Sequence, residues 1–277
     1  MIPLRDHNPT HAAPVVTIGL IVANVAVFLL GVVRPDGGER MVWKYGYLPA
    51  GLSYDREEIR EALVERAERA PPVRAVDRFG RVRLFRPPPP PVDDAVALPA
   101  FVKLLTCMFM HGGLMHLAGN MLYLWIFGNN IEDRLGRGLF IMFYLVTGVF
   151  GTIAHTLIDM DGLIPLVGAS GAISGVLGAY IILFPRARVE ALVPIGWYLT
   201  TIQLPAYVFL GFYALLQFLN GVPALWRHSG SGIAYWAHIG GFVAGLALIK
   251  LLPQRRLVPR ARPVYTRDEP DDAWDGF

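Results

Sequence analysis

The chain is long, apolar and poor in charge. It has 277 residues, of which 54% are hydrophobic and 17% are charged, with a net charge of +3, whereas a soluble domain carries about 25% charged residues. The charges cluster in a few segments, which indicates a protein that crosses a membrane several times. The small net charge argues against a nucleic-acid partner. The single cysteine, Cys107, excludes an internal disulfide and a cysteine-based metal cluster.

Six charge-free windows are long enough for helices of about 20 residues. In chain order they cover residues 15–33, 104–131, 138–158, 162–184, 204–220 and 229–249. We interpret residues 191–203, which precede the fifth window, as an interfacial lead-in, and we expect that helix to begin near Pro205 because proline suits a helix start. No small-residue cleavage site follows the first window, so we expect a retained helix and not a signal peptide. The predicted fold class is an all-α membrane protein with a bundle of six transmembrane helices.

The basic residues between the windows predict the topology. Arginines follow the second, fourth and sixth windows, at Arg134, Arg137, Arg186, Arg188, Arg255 and Arg256, and such loops are typically cytoplasmic. We therefore expect five segments: a cytoplasmic N-terminus (1–14), a first transmembrane helix (15–33), a charged, proline-rich extracytoplasmic loop (34–99), a part with the other five helices (100–252) and a disordered cytoplasmic tail (253–277).

The outer loop, residues 34–99, contains one predicted helix. The stretch from Ser53, SYDREEIREALVERAERAPP, is typical of a capped helix with salt bridges and a thin apolar stripe at Ile59, Leu63 and Ala67. Residues 86–91, RPPPPP, indicate a stiff polyproline spacer. The loop is either a solvated connection or an element that docks a partner or lipid, and the sequence leaves both open.

Polar residues inside transmembrane windows are costly and usually functional. The candidates are His111, His116, Asn120, His155, Ser170, Ser174 and His238. The second, fourth and sixth windows run in the same direction, so residues at equal offsets lie at equal depth. Ser170 and His238 lie about eight and nine residues into their windows, about 12–14 Å below the outer surface, and Asn120 lies at a similar offset with His116 one turn above it.

A serine, a histidine and hydrogen-bond donors at one depth can catalyse acyl transfer. No carboxylate lies inside a window, so Ser170 and His238 would form a dyad. His111 and His155 have no partner at that depth, and we expect them to be structural. The helical zinc pattern H-E-x-x-H is absent, and we expect no metal and no other cofactor.

The small residues around these candidates have a second interpretation. Gly168, Gly171, Gly175 and Gly178 in the fourth window, and Gly241 and Gly245 in the sixth, have the spacing of helix-packing faces in membrane bundles. A serine on such a face commonly bonds a backbone carbonyl. From these residues alone, packing and catalysis both stay open.

Four segments together resemble the rhomboid intramembrane serine proteases. They are HGGLMHLAGNMLYLW (111–125), IEDRLGRG (131–138), GASG (168–171) and AHIGGFVAG (237–245), in the order and spacing of that family. The resemblance implies Ser170 as nucleophile, His238 as base, and an oxyanion site of His116, Asn120 and the Ser170 backbone N–H. It also implies that Glu132 and Arg134 pair structurally, and that Gly168, Gly171, Gly241 and Gly245 belong to the structural motifs. Many members carry an aromatic residue four positions after the nucleophile, where this chain has Ser174.

The resemblance further implies the activity and its setting. The expected activity is ATP-independent cleavage of single-span membrane proteins in the lipid bilayer, at a site open to the extracytoplasmic side. We expect a multi-pass protein of a bacterial inner membrane, and the oligomeric state is left open. Substrate would pass at the fifth helix, where the candidate plug residues are Phe212, Phe218 and Trp226, with Trp236 on the facing helix. The rival functions are a non-catalytic rhomboid-like binding or quality-control factor and a small-solute transporter, which would bind nearer the midplane.

Overall fold

The computed structural model of the protein describes residues 1–71, 73–76, 82–85, 90–195, 198–224 and 233–255. Helices dominate this part of the chain. They are α1 Val15–Val32, α2 Glu39–Tyr45, α3 Arg56–Arg69, α4 Val92–Ala95, α5 Ala100–Thr106, α6 Leu114–Tyr123, α7 Asn129–Leu135, α8 Arg137–Ile158, α9 Ser170–Leu183, α10 Ala206–Ala224 and α11 Tyr235–Leu251. A π-helical turn, Leu124–Gly128, joins α6 to α7.

The predicted helical membrane bundle is confirmed. Among the described residues, three helices are long and apolar enough to cross a membrane, namely α1, α8 and residues Ala206–Pro223 of α10. A fourth crossing results if α5 and the α6–α7 helix, which meet at a bend of 82°, form one span. Helices α9 and α11 are apolar but have 14 and 17 residues, fewer than the about 20 that span a bilayer. The count of six spans therefore stays a prediction.

Two helices begin later than the sequence predicts. Helix α9 begins at Ser170 and α11 at Tyr235, so Ser170 is the first residue of its helix and His238 lies in the first turn. The predicted offsets of about eight and nine residues are wrong. The chain before α9 is extended because Leu166 pairs with Tyr47 across an antiparallel bridge, and because Gly168 has a φ of +122°, which a helix does not allow.

Helices α9 and α11 lie in backbone contact. A Cβ atom on Gly241 would collide with the carbonyl oxygen of Gly171, and one on Gly245 would collide with that of Gly175. The small-residue packing face expected for these two helices is therefore present. Gly168 is the exception, since it lies in the segment before α9. This close approach brings the first turns of α9 and α11 together.

A three-stranded antiparallel sheet closes one end of the bundle. Its order is β1 (Ile2–Asp6), β4 (Arg188–Ile195) and β5 (Tyr198–Pro205), and the two strands between β1 and β4 in the chain, β2 (Val73–Val76) and β3 (Val82–Phe85), lie in the outer loop. Of residues 191–203, which were expected to be an interfacial lead-in, residues 191–195 therefore belong to β4 and residues 198–203 to β5, and their β-branched and aromatic residues favour strands. The Asp6 carboxylate anchors β1 by accepting hydrogen bonds from the Tyr180 hydroxyl (2.6 Å) and from Asn130 Nδ2 (2.8 Å). Burial raises the pKa of Asp6 from its usual value, and these hydrogen bonds oppose that rise.

The predicted pair of Glu132 and Arg134 does not form between those two residues. The Glu132 carboxylate accepts from the backbone N–H of Val16 (2.9 Å) and from both the N–H and the hydroxyl of Thr17 (2.8 Å each). Arg134 donates to Gln254 Oε1 (3.0 Å) and lies over the Phe184 ring. Glu132 binds the N–H groups that the first turn of α1 leaves without helical acceptors. Each residue therefore ties α7 to a different element.

The outer loop is folded where the structure describes it. Helix α3 begins at the expected place with a capping box between Asp55 and Glu58, and Ile59 and Leu63 of its apolar stripe are buried in a separate small cluster with Leu48, Ala50, Ala95 and Val96. Strands β2 (Val73–Val76) and β3 (Val82–Phe85) form an antiparallel hairpin. The Tyr54 hydroxyl donates to Asp161 (3.0 Å), which fixes this loop to the α8–α9 connection. The polyproline spacer, apart from residues 90–91, and the tail beyond residue 255 lie outside the described residues.

Candidate active site

Ser170 lies half-buried at the start of α9. The extended segment before it delivers the side chain into the bundle, and Gly168 makes the turn with a positive φ. The first backbone N–H groups of a helix have no intrahelical acceptors, so the amides around Ser170 are donors for a negatively charged oxygen. The first position of this helix therefore combines a hydroxyl with a polar backbone end.

His238 reaches Ser170 from α11. Its Nε2 atom lies 2.8 Å from Ser170 Oγ, within the range of an O–H···N hydrogen bond. When the hydroxyl donates to Nε2, the neutral ring carries its proton on Nδ1. That atom lies 2.7 Å from Oε1 of Gln217, on α10. A serine whose hydroxyl donates to a neutral imidazole has the arrangement of an activated nucleophile.

The predicted oxyanion residues lie beside the segment that leads into Ser170. A Cβ atom on Gly168 would stand 2.8 Å from Nε2 of His116 and 3.5 Å from Nδ2 of Asn120. Asn120 is buried and its Nδ2 donates to His111 Nε2 at 2.9 Å, whereas His116 is exposed. The expectation that His111 has no partner is therefore wrong: it orients Asn120, and its ring lies 5.1 Å from that of His116, edge to face.

Ser174 faces the neighbouring helix α10. It is fully buried and its Oγ lies 2.7 Å from the Tyr213 hydroxyl oxygen. The Tyr213 ring lies 6.5 Å from the Phe242 ring of α11. Ser174 therefore links α9 to an aromatic residue of α10 that packs toward α11.

Gln217 and Tyr213 are the polar residues near the site that the sequence reasoning missed. They lie four residues apart on α10, and therefore on one face of that helix. Both residues lie inside the charge-free window 204–220. Polar residues inside such windows are usually functional, and this signal could have identified them.

The aromatic residues proposed as a plug have mixed positions. Phe212 and Phe218 are exposed on α10, and the structure describes no contact of theirs with Ser170 or His238. Trp236 donates a hydrogen bond from Nε1 to the Gly221 carbonyl oxygen at 3.1 Å, which links the start of α11 to the end of α10. Trp226 lies outside the described residues.

The functional groups around Ser170 determine which chemistry the site can support. Among the residues that the structure describes, no group of three or more His, Cys, Asp or Glu side chains is placed to hold a metal ion. A hydroxyl, an imidazole, an amide and free helix N–H groups are the parts for nucleophilic attack on a carbonyl.

Comparison with known proteins gives one consistent result. The family model of the Rhomboid domain matches residues 99–255. The chain is similar to Rhomboid protease GluP of Bacillus subtilis (35% identity over 154 residues, 55% of this chain and 26% of that protein). It is also similar to RHOMBOID-like protein 5 of Arabidopsis thaliana (32% over 164 residues, 59% and 48%) and to Rhomboid protein 1, mitochondrial, of Saccharomyces cerevisiae (29% over 150 residues, 52% and 40%). The matched segment thus spans between about a quarter and a half of these relatives' length.

Proposed function

Since the chain belongs to the rhomboid family, we propose that it is an intramembrane serine endopeptidase that hydrolyses peptide bonds in or near transmembrane segments of other membrane proteins. The observation that carries the proposal is the 2.8 Å contact between Ser170 Oγ and His238 Nε2. The two residues come from helices held in backbone contact by Gly241 and Gly245. Their contact therefore rests on the packing of the bundle and not on a surface loop.

The proposed reaction has two halves. Ser170 Oγ attacks the scissile carbonyl carbon while its proton moves to His238 Nε2, and the carbonyl oxygen takes the negative charge. The imidazolium then gives that proton to the leaving amine, and the C–N bond breaks to leave an acyl ester on Ser170. In the second half a water molecule gives a proton to His238 Nε2 and attacks the ester carbonyl carbon. The bond from that carbon to Ser170 Oγ then breaks, and His238 gives the proton to Oγ, which releases the acid and restores the hydroxyl.

The negative charge of the intermediate requires preorganised donors. We assign this role to the Ser170 backbone N–H, which starts α9, and to Asn120 and His116 beside Gly168. The position of Ser170 at a helix start supports the first assignment, because that amide has no intrahelical acceptor. The hydrogen bond that Asn120 Nδ2 donates to His111 Nε2 uses one amide proton and leaves the second available for substrate.

The arrangement of the ends of the helices supports a topology. The N-terminal strand, α7, the β4–β5 hairpin and the end of α11 meet at one end of the bundle, where the Arg255 N–H donates to the Arg134 carbonyl (2.7 Å). This end carries the arginines, so we assign it to the cytoplasm with both termini. The dyad then opens to the extracytoplasmic side, in a bacterial inner membrane, with transmembrane proteins as substrates and no cofactor.

The test uses the full chain in liposomes. A fluorophosphonate probe should label the protein at Ser170 alone, and Ser170→Ala and His238→Ala should each lose labelling and cut an embedded substrate at least about a thousandfold more slowly. Because the two residues act as a unit, the double variant should be no slower than either single variant. Melting curves in detergent check that the variants fold. A folded wild type that neither labels nor cuts would overturn the proposal in favour of a non-catalytic rhomboid-like binding factor.

A further inference from the structure

His238 has partners on both ring nitrogens. Nε2 contacts Ser170 Oγ at 2.8 Å, and Nδ1 contacts Gln217 Oε1 at 2.7 Å. An amide oxygen accepts and cannot donate. Gln217 therefore bonds the ring only when Nδ1 carries the proton, and this is the tautomer in which Nε2 can accept the serine proton.

The orientation of an imidazole base is normally fixed by such a third group. In serine hydrolases a residue bonded to Nδ1–H holds the ring in the correct tautomer and direction. A carboxylate is the usual choice in soluble enzymes, but a charge buried in a membrane bundle is costly. A neutral carboxamide supplies the same acceptor without that cost.

Helix α10 holds Gln217 in place. One turn before it, Tyr213 bonds Ser174 of α9 at 2.7 Å, and one turn after it, the Gly221 carbonyl accepts from Trp236 of α11 at 3.1 Å. The same face of α10 is thus tied to the helix of the nucleophile and to the helix of the base. This framework limits the movement of the Gln217 side chain relative to the His238 ring.

We propose that Gln217 is a positioning residue that completes a Ser170–His238–Gln217 triad by accepting the Nδ1–H of His238. The proposal rests on the proposed peptidase function and adds to it a third member from α10. The competing explanation is that Gln217 is a polar residue that merely satisfies its own hydrogen bond, with no effect on the rate of the reaction.

The test compares two changes at Gln217 with one control. Gln217→Leu removes the acceptor at similar size, Gln217→Glu keeps an acceptor oxygen, and Asn220→Leu makes the same kind of change on an exposed residue of α10 that bonds the Leu216 carbonyl. We expect Gln217→Leu to lower kcat and the rate of fluorophosphonate labelling about a hundredfold, the size expected for a misplaced catalytic group, with KM unchanged. We expect Gln217→Glu to recover most of both rates, and Asn220→Leu to match the wild type.

The outcomes separate this inference from the proposed function. A wild type without activity refutes the peptidase itself. An active wild type with a folded Gln217→Leu variant of normal kcat refutes the triad, as does a loss that appears in KM alone. Equal loss in folded Gln217→Leu and Gln217→Glu also refutes it, because packing would then explain the effect. If melting curves show that the Glu variant is unfolded, the decision rests on kcat of Gln217→Leu against Asn220→Leu, and equal values refute the inference.

Discussion

Asn120 is buried and lies beside Gly168. Gly168 comes two residues before the proposed nucleophile, Ser170. An oxyanion donor acts only as negative charge develops, so Asn120→Ala should lower kcat by about 10²–10³-fold, equivalent to about 2.7–4 kcal/mol, and leave KM nearly unchanged. Steady-state kinetics on a peptide substrate measure both constants. A rise in KM with normal kcat would make Asn120 a substrate-positioning residue instead.

His111 provides the matched comparison for that variant. It touches Asn120 and not the proposed nucleophile in the contacts that the structure describes. His111→Ala should therefore reduce kcat less than Asn120→Ala, since the amide would lose its orientation but not its presence. A larger loss in His111→Ala than in Asn120→Ala would mean that the roles are reversed.

Ser174 is a second serine of α9, and its partner assigns it to packing. Ser174→Ala should keep probe labelling at Ser170, because Ser174 Oγ contacts Tyr213 and not His238. The variant should lose about 1–3 kcal/mol of stability, since the Tyr213 hydroxyl is left buried without this partner. Tyr213→Phe should cost a similar amount, and the double variant should lose less than the sum because the two changes remove one bond. Loss of labelling in folded Ser174→Ala would show that the wrong serine was chosen.

At this residue scale, small groups with few possible partners could be assigned from the sequence and long side chains could not. Ser170 and His238 were paired by equal offsets in apolar windows, and the two side chains do lie in contact, although both helices begin later than those offsets assume. Glu132 and Arg134 were paired incorrectly, because each long side chain reaches an element that is distant in sequence, the start of α1 or the end of α11. Gln217 was missed because no motif contains it and its role depends on how α10 packs.

At the element scale, the close approach of α9 and α11 is the feature on which the contact between Ser170 and His238 depends. A Cβ on Gly245 would collide with the Gly175 carbonyl oxygen, and backbone atoms cannot move aside as a flexible side chain can. Gly245→Ala should therefore push the helices apart, cost about 1–3 kcal/mol of stability and sharply reduce activity. Gly19→Ala is the control, since a Cβ there meets nothing within 4 Å. Thermal melting and cleavage assays on both variants test this, and normal activity in Gly245→Ala would show that the contact tolerates widening.

The existence of the long apolar helices was predictable, but the starts of α9 and α11 were not. Hydropathy identifies every apolar helix of the bundle, because burial in lipid requires long apolar runs. Residues 162–169 are as free of charge as α9 itself, but Tyr47 in the outer loop pairs with Leu166 and holds that stretch extended. The β4–β5 hairpin was also missed because its structure depends on a segment that is distant in sequence. The third strand of its sheet is β1, from the N-terminal segment.

At the scale of the whole molecule, the two ends of the bundle differ in construction. One end is closed by the three-stranded sheet and by the carboxylates of Asp6, Glu132 and Asp133, which bind neighbouring helices and the N-terminal segment. The other end carries the folded outer loop, and there α9 and α11 present the first turns that hold Ser170 and His238. The contact between Ser170 and His238 therefore lies away from the sheet, toward the end that is proposed to face the extracytoplasmic side.

The seam between α6 and α10 is the place where we expect a substrate helix to pass. About one turn beyond Asn120, the ring of Tyr123 lies 6.5 Å from the ring of Phe209, near the start of α10, and 6.1 Å from that of Tyr213. Gating movements turn about the ends of such elements, so this aromatic contact would act as the hinge and the outer ends would separate.

The exposed Phe212 lies on the moving helix, and Phe212→Ala should speed cleavage of an embedded substrate and not of a soluble peptide.

Crosslinks at the two ends of that seam distinguish the hinge from the opening. In a Cys107→Ala background, Met115→Cys with Leu219→Cys places thiols on exposed positions near the outer ends of α6 and α10, and a bifunctional reagent joins them. This link should block cleavage of an embedded substrate, because the outer ends can no longer part, and spare cleavage of a soluble peptide that reaches the dyad from the aqueous side. A link near the start of α10, through Tyr123→Cys and the buried Phe209→Cys in a variant whose melting curve shows that it folds, should spare both activities because those two rings are already stacked with centroids 6.5 Å apart. If the outer link leaves cleavage of the embedded substrate at its normal rate, the substrate does not pass between α6 and α10, and the connection between α10 and α11 becomes the better route.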